Sequence, residues 1–191
     1  CAGGEPPAAP ARSFGDIARG SDGRIYVADS LAGEILVFDG ARTVSISKDF
    51  ASPQGMVPAP DGRRLIVADY PGGLFVLDLK TRAVTRLPIP ADLVAVGIDG
   101  MSRDGDTLIA VQNGTNPQRI LRLRLDKRWT RITGWEVLAA NLPNLREPTG
   151  GVVVGRDFVF VARSQWDAFD DDGKLKENNP EPALIGRIRL R

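Results

Sequence analysis

The sequence predicts an all-β fold, a β-propeller built of four-stranded antiparallel blades, with four blades in the chain of 191 residues. Three observations carry that prediction. The stretch Gln54 to Lys80, QGMVPAPDGRRLIVADYPGGLFVLDLK, reads as three short apolar runs separated by turns at Asp61-Gly62 and at Tyr70-Pro71-Gly72-Gly73. Asp-Gly between apolar runs is a strong hairpin signal, because both central positions of the tight turn need positive φ. The same unit recurs upstream and twice downstream at a spacing of about 40 to 50 residues, the range of propeller blades. Finally, no segment keeps apolar residues at i, i+3, i+4 and i+7 for three turns, so helix is not expected.

Residues 1–13 are Gly-, Pro- and Ala-rich and read as a linker or inter-blade loop. Blade one spans about residues 14–48, with strands near 14–18, 24–29, 34–38 and 43–48 and its turn at Asp22-Gly23. Blade two spans 54–89 and closes with AVTRLPI; blade three spans 96–140 and closes with RITGWEVLAA, which β-branched residues and Gly134 mark as strand rather than helix. Blade four spans 148–191, with strands GGVVVG, FVFVARS and LIGRIRLR and a polar insertion from Gln165 to Pro182. It reads one strand short, and the Pro-rich start of the chain does not alternate as a strand should. Soluble proteins avoid long unpaired sheet edges. The expectation is therefore the C-terminal four blades of a larger, six-bladed ring, the missing blades lying in the remainder of the chain; a complete four-bladed ring is the alternative.

Composition narrows the function by exclusion. A net charge of +1 with scattered basic residues gives no footprint for nucleic acid. There is no histidine, so Ser-His-Asp and Cys-His triads and His-based zinc sites are absent, and acid–base work falls to carboxylates, Tyr or Lys. The single cysteine, Cys1, excludes an internal disulfide and a Cys-based metal site. No apolar run has the length of a transmembrane segment. CAGGEPPAAPAR looks like the acylated cysteine and tether of a bacterial lipoprotein, which points to a periplasmic or extracellular location; an inter-blade fragment boundary is the alternative.

Blade geometry singles out candidate site residues. The start of strand one and the end of strand two of every blade share one face of the disc, opposite the Asp-Gly turns. Starts of strand one carry Asp16, Gln54, Asp99 and Thr149; ends of strand two carry Asp29, Asp69, Gln112-Asn113 and Arg163. Polar side chains thus gather at one mouth of the channel, where pockets of such folds open. Asp99, in GIDGM, is the leading catalytic candidate. With Gln54, and less directly Asp16, it offers oxygen ligands suited to Ca²⁺ or Mg²⁺ ahead of Zn²⁺; the plainer alternative is an Asp that accepts amides at the start of its strand. Asp16, Gln112, Asn113, Thr149 and Arg163 are the ligand-binding candidates. Asp29 and Asp69, each in a VAD triplet, read as structural turn ties.

Other signals are weaker. Asp170-Asp171-Asp172-Gly173 lacks the spacing of a calcium loop, since Ala168 and Asn179 occupy positions that need carboxylates, and reads as a solvated hairpin tip. GTNPQR (114–119) is first a turn, with Arg119 as a candidate anion contact. Trp166 and Phe169 could stack on a sugar or cap the channel; the plainer reading is an aromatic that anchors the loop to its blade.

These motifs resemble two related groups of six-bladed, TolB-like propellers, the NHL repeats and the senescence-marker-protein/gluconolactonase/regucalcin family. SPQGMVPAPDGRRLIVADY is similar to that family's first motif and GIDGM to its second. The resemblance implies a divalent metal held by a Glu, an Asn and an Asp. Asp99 matches the Asp, Gln54 stands in place of the Asn, and the Glu lies outside this sequence. The implied activity is metal-dependent hydrolysis of a lactone or ester, with a small-molecule substrate. The alternative is a non-catalytic propeller presenting its loop-rich face to a protein, peptide or glycan of the cell envelope.

Overall fold

The structure, a computed structural model, describes residues 11–170, 172–176 and 180–190. Cys1 and its tether lie outside the described residues. Fifteen strands form four antiparallel sheets of four, four, four and three strands, each meandering in chain order. The first blade contains β1 (Phe14–Arg19), β2 (Ile25–Asp29), β3 (Glu34–Phe38) and β4 (Thr43–Ser47). The second contains β5 (Pro53–Pro58), β6 (Arg64–Asp69), β7 (Gly73–Asp78) and β8 (Val84–Arg86). The third contains β9 (Ile98–Asp104), β10 (Thr107–Gln112), β11 (Arg119–Leu125) and β12 (Ile132–Ala140). The fourth contains β13 (Gly151–Val154), β14 (Asp157–Arg163) and β15 (Leu184–Arg189). The only helical element among the described residues is a single 3₁₀ turn, Trp166–Ala168. The fold is the expected propeller, and among the described residues its last blade has three strands.

Strand β1 packs on β5, β5 on β9 and β9 on β13, and all four border one cavity of about 740 Å³. These are therefore the innermost strands around a shared axis. Convergence at that axis leaves no room for side chains at some positions. An ideal Cβ on Gly55 of β5 would lie 2.6 Å from the Met101 amide nitrogen of β9, and one on Gly100 would lie 2.7 Å from Gly150 Cα. Real Cβ atoms do not approach so closely, so glycine is required where the blades are thinnest.

Three buried clusters fill the spaces between successive blades. Strand alternation produces them, because residues on one face of a blade point to its predecessor and the intervening residues to its successor. Met56, Val67 and Phe75 of the second blade face the first, while Val57, Ile66 and Val76 face the third. The two end faces follow the same pattern but are uncovered. Ile17 of β1, which stands where Met56 stands in the second blade, is 67% exposed against 3% for Met56. Ile185 of β15, equivalent to Ile120 of β11, is 70% exposed against 0%.

Residues 11–13 are fastened to the first blade rather than free. Arg12 Nη1 bonds Asp29 Oδ2 at 2.8 Å, and the Ser30 amide donates to Ser13 O at 2.7 Å. Asp29 and Asp69 are the turn ties that the VAD triplets suggest. Asp29 Oδ1 accepts from the amides of Ser13 and Ala32, at 3.2 and 3.1 Å, and Asp69 Oδ1 from those of Ala51 and Ser52, at 3.0 and 2.6 Å. Burial opposes charge on Asp29, but the amides of Ala32 and Ser13 and the Arg12 guanidinium outweigh it and hold the carboxyl below its ordinary range. Of the expected hairpin tip, the described residues Asp170, Asp172 and Gly173 are exposed, with Asp170 Oδ1 accepting from the Lys174 amide at 2.8 Å.

Candidate functional site

At the face where strand one of each blade begins lies a second cavity, of about 420 Å³. Its walls include Phe14 and Asp16 of β1, Gln54 of β5, Asp99 of β9, and Asn113, Thr149 and Trp166 from the adjoining loops. Five of the seven candidate residues therefore meet at one mouth, as the blade-geometry rule requires. Gln112 and Arg163 do not. Gln112 is fully buried, with Nε2 donating to the carbonyls of Val94 and Val96 at 2.9 and 2.6 Å and Oε1 accepting from Arg119 Nε at 2.6 Å. It splints the segment leading into β9, and Arg119, held by Gln112 and lying over the Trp135 ring, is not free for an anion. Arg163 pairs with Glu181 at 2.6 Å and donates to Pro182 O at 3.0 Å, beside a separate hollow of about 90 Å³.

The two aspartates at the mouth differ in their partners. Asp16 Oδ2 accepts from the Met56 amide at 2.6 Å and Oδ1 from the Ile17 amide at 2.8 Å, so both oxygens are engaged and β1 is tied to β5. Burial still pushes its carboxyl up to about 6, against those two amide bonds, and the charge on Asp99 adds to the effect. Asp99 accepts no hydrogen bond from any described residue. Burial, and then the charge on Glu147, push its carboxyl up to about 6. The amide-accepting role open to Asp99 from sequence is thus filled by Asp16 instead.

Gln54 Nε2 donates to Ser52 Oγ at 3.3 Å, and its Oε1 occupies the space left by the missing side chain of Gly15. Asn113 Oδ1 accepts from the Tyr70 hydroxyl at 2.9 Å and its Nδ2 donates to Pro148 O at 3.0 Å, which orients the amide across the junction of the second, third and fourth blades. Thr149 is held by its amide, which donates to Val161 O at 3.0 Å.

Two residues near the mouth escape the sequence rule. Glu147 has φ of 51°, a left-handed conformation that costs a non-glycine residue on the order of 1 kcal/mol. It is kept there by its amide bond to Gln118 Oε1 at 2.7 Å and by Ser164 Oγ, which donates to its carboxylate at 3.1 Å. Tyr70 senses both acids: burial, then Asp99, then Glu147 raise its hydroxyl above the ordinary range. Tyr70 follows Asp69 at the end of strand two, on the mouth face, so extending the rule by one residue finds it. No local signal marks Glu147, whose position comes from the way the fourth blade is entered.

Of the donors that the resemblance implies, Asp99 and Gln54 both stand at the mouth. Ca²⁺ takes six to eight oxygens, and Mg²⁺ requires near-octahedral geometry. Among the described residues no three acidic, His or Cys side chains come together to hold a metal, and the Asp16 oxygens are already engaged.

No protein-family model matches the chain, and no curated protein matches its sequence. Solved structures match its fold. A gluconolactonase from Xanthomonas campestris superposes with a TM-score of 0.63 at 18% identity, over 89% of this chain and 62% of that one. Regucalcin from Agrobacterium tumefaciens, a calcium-binding protein, gives 0.61 at 15% identity, over 93% and 62%. A chain of the nidogen/laminin complex gives 0.62 at 16% identity, over 88% and 80%. This chain therefore spans about three-fifths of the gluconolactonase and regucalcin chains, and at these identities the likeness establishes the fold: a propeller similar to those of the gluconolactonase and regucalcin group.

Proposed function

We propose that the chain is the greater part of a gluconolactonase-like propeller that hydrolyses a small lactone or ester at the channel mouth, with Asp99 as its acid–base group. The observation that carries this reading is the half-buried Asp99 carboxylate, which no described donor reaches although it lies on the wall of an open cavity. A carboxylate on a cavity wall whose oxygens no neighbour engages is available to a ligand, and perturbed acids in clefts mark functional sites. A carboxyl near 6 is also matched to proton transfer at neutral pH.

The step balances without a further reactant. Asp99 takes a proton from water as the water oxygen bonds to the carbonyl carbon. The carbon–oxygen bond of the lactone or ester then breaks, and Asp99 returns the proton to the departing alkoxide, giving a hydroxy acid or an acid and an alcohol. The Thr149 hydroxyl and the Asn113 and Gln54 amides line the same cavity and offer polar contacts to the carbonyl and to substrate hydroxyls. Among the described residues no helix is long and apolar enough to cross a membrane. We further infer that blades beyond these four complete the ring, since both end faces expose residues whose equivalents are buried.

The test is turnover of simple lactones by the intact protein and its Asp99→Asn variant. The expected result is a loss of at least about 100-fold in kcat with a melting temperature no lower than that of wild type. Full activity in the variant overturns the reading. A melting temperature that rises with Ca²⁺ or Mg²⁺ in the wild type but not in the variant would instead make Asp99 a metal ligand. A second reading, a binding face for an envelope protein, peptide or glycan, is favoured by the exposed aromatics Trp166 and Phe169 beside the mouth. It predicts no turnover with any lactone and loss of partner binding on substitution of those two residues.

A further inference from the structure

We propose that Trp166 is the wall of a ring-binding subsite extending the channel mouth, so that the molecule handled at Asp99 carries a planar apolar ring beside its polar group. The proposal rests on the reading of the mouth as a small-molecule site. Tryptophan carries a large apolar surface, and folding usually buries most of it. Trp129 follows that rule at 3% exposed, whereas Trp166 is 69% exposed and so does not anchor its loop as the sequence suggests.

The loop itself is not loose. The 3₁₀ turn is closed by the Ala168 amide donating to Gln165 O at 3.0 Å and the Phe169 amide donating to Trp166 O at 3.2 Å. It is braced on both flanks. Arg146 Nη2 pairs with Asp167 Oδ2 at 2.9 Å, Gln165 Nε2 donates to Glu181 O at 2.9 Å, and the Lys176 amide donates to Ala168 O at 2.8 Å. A rigid backbone thus holds a bare indole in water, the arrangement that lowers the entropic cost of gripping a ligand.

The indole borders two hollows at once. One is the mouth, which it shares with Asp99, Gln54 and Asn113; the other is a dent of about 240 Å³ lined by Gln165, Trp166 and Phe169. The dent has room for one ring system, and its walls are almost wholly carbon. A ligand with its polar group toward Asp99 can therefore lay a flat ring against Trp166. The class implied is an ester, lactone or amide bearing an aryl or similarly planar substituent, for which stacking adds about tenfold in affinity.

Benzamide and acetamide are suitable probes, being neutral and differing by the ring alone. Their affinities for the intact protein are read by ligand-observed NMR, in wild type, Trp166→Ala and Trp166→Phe. The expected result is benzamide binding about tenfold more tightly than acetamide in wild type, that preference falling below about twofold in Trp166→Ala and largely kept in Trp166→Phe. Equal binding of the two amides by wild type, or an unchanged preference in Trp166→Ala, overturns the proposal. Lactone turnover is scored separately. A protein that prefers benzamide through Trp166 yet hydrolyses no lactone loses its catalytic assignment and keeps the subsite.

Discussion

Asp16 and Asp99 both reach the channel mouth, on β1 and β9, and both carboxyls are raised to about 6, yet they do different work. Asp16 holds two backbone amides, so Asp16→Ala leaves the Met56 and Ile17 amides unpaired and should destabilise the fold by about 2 kcal/mol, read from urea denaturation. Asp99 holds none, so replacing it removes only the burden of a buried charge. Its carboxyl rises from an ordinary 3.8 in the unfolded chain to about 6 in the fold. Its contribution to stability is therefore full below about pH 4 and is lost as pH rises through about 6. Asp99→Asn should accordingly be more stable than wild type at pH 7.5, by on the order of 2 kcal/mol, and indistinguishable from it at pH 4. Thermal denaturation at the two pH values checks this, and equal melting temperatures at pH 7.5 would count against a raised carboxyl. The difference between the two acids was not readable from sequence. Both open an innermost strand, and only the inter-blade register decides which of them meets an amide.

At the scale of elements, the blade unit was legible because its signals are local: an Asp-Gly turn, two-residue alternation and a VAD corner that ties the next turn. The inter-blade approach was not, since it depends on glycines that look like ordinary strand breaks in sequence. Gly55 lies against the β9 backbone, and Gly55→Ala must push β5 and β9 apart. The expected loss is about 2 to 3 kcal/mol, with faster hydrogen exchange along β5 and β9 while β2 and β3 are spared. Uniform exchange across all blades would show that the strain spreads through the arc. The rule that finds Asp99, Asn113 and Thr149 also selects Gln112 and Arg163, because it identifies the end of a strand but not the direction of its side chain. In β10 that last residue points into the segment preceding β9; in β14 it points to the returning arm at Glu181 and Pro182.

Across the described blades, three internal cores obey one packing rule and two end faces obey it without a partner. On the first blade the uncovered face presents Phe14, Ile17 and Phe38; on the fourth it presents Val152, Val154 and Ile185. Surface hydrophobics scattered singly need no explanation, but these share one face of their blade at positions whose counterparts in the second blade are buried. Further blades seated on both faces would hide them and continue the curvature set by β1, β5, β9 and β13. In the intact protein an Ile185→Asp substitution then places a carboxylate inside a fourth inter-blade core, and the loss of stability should exceed about 2 kcal/mol. Leu175, exposed on the hairpin tip outside any blade face, provides the control, and Leu175→Asp should change stability by less than about 0.5 kcal/mol. The two substitutions introduce the same charge on side chains of similar size, so a difference between them in urea denaturation reports cover on the end face rather than the chemistry of the change. If Ile185→Asp is as mild as the control, the end face is open to water in the intact protein and the ring does not continue there.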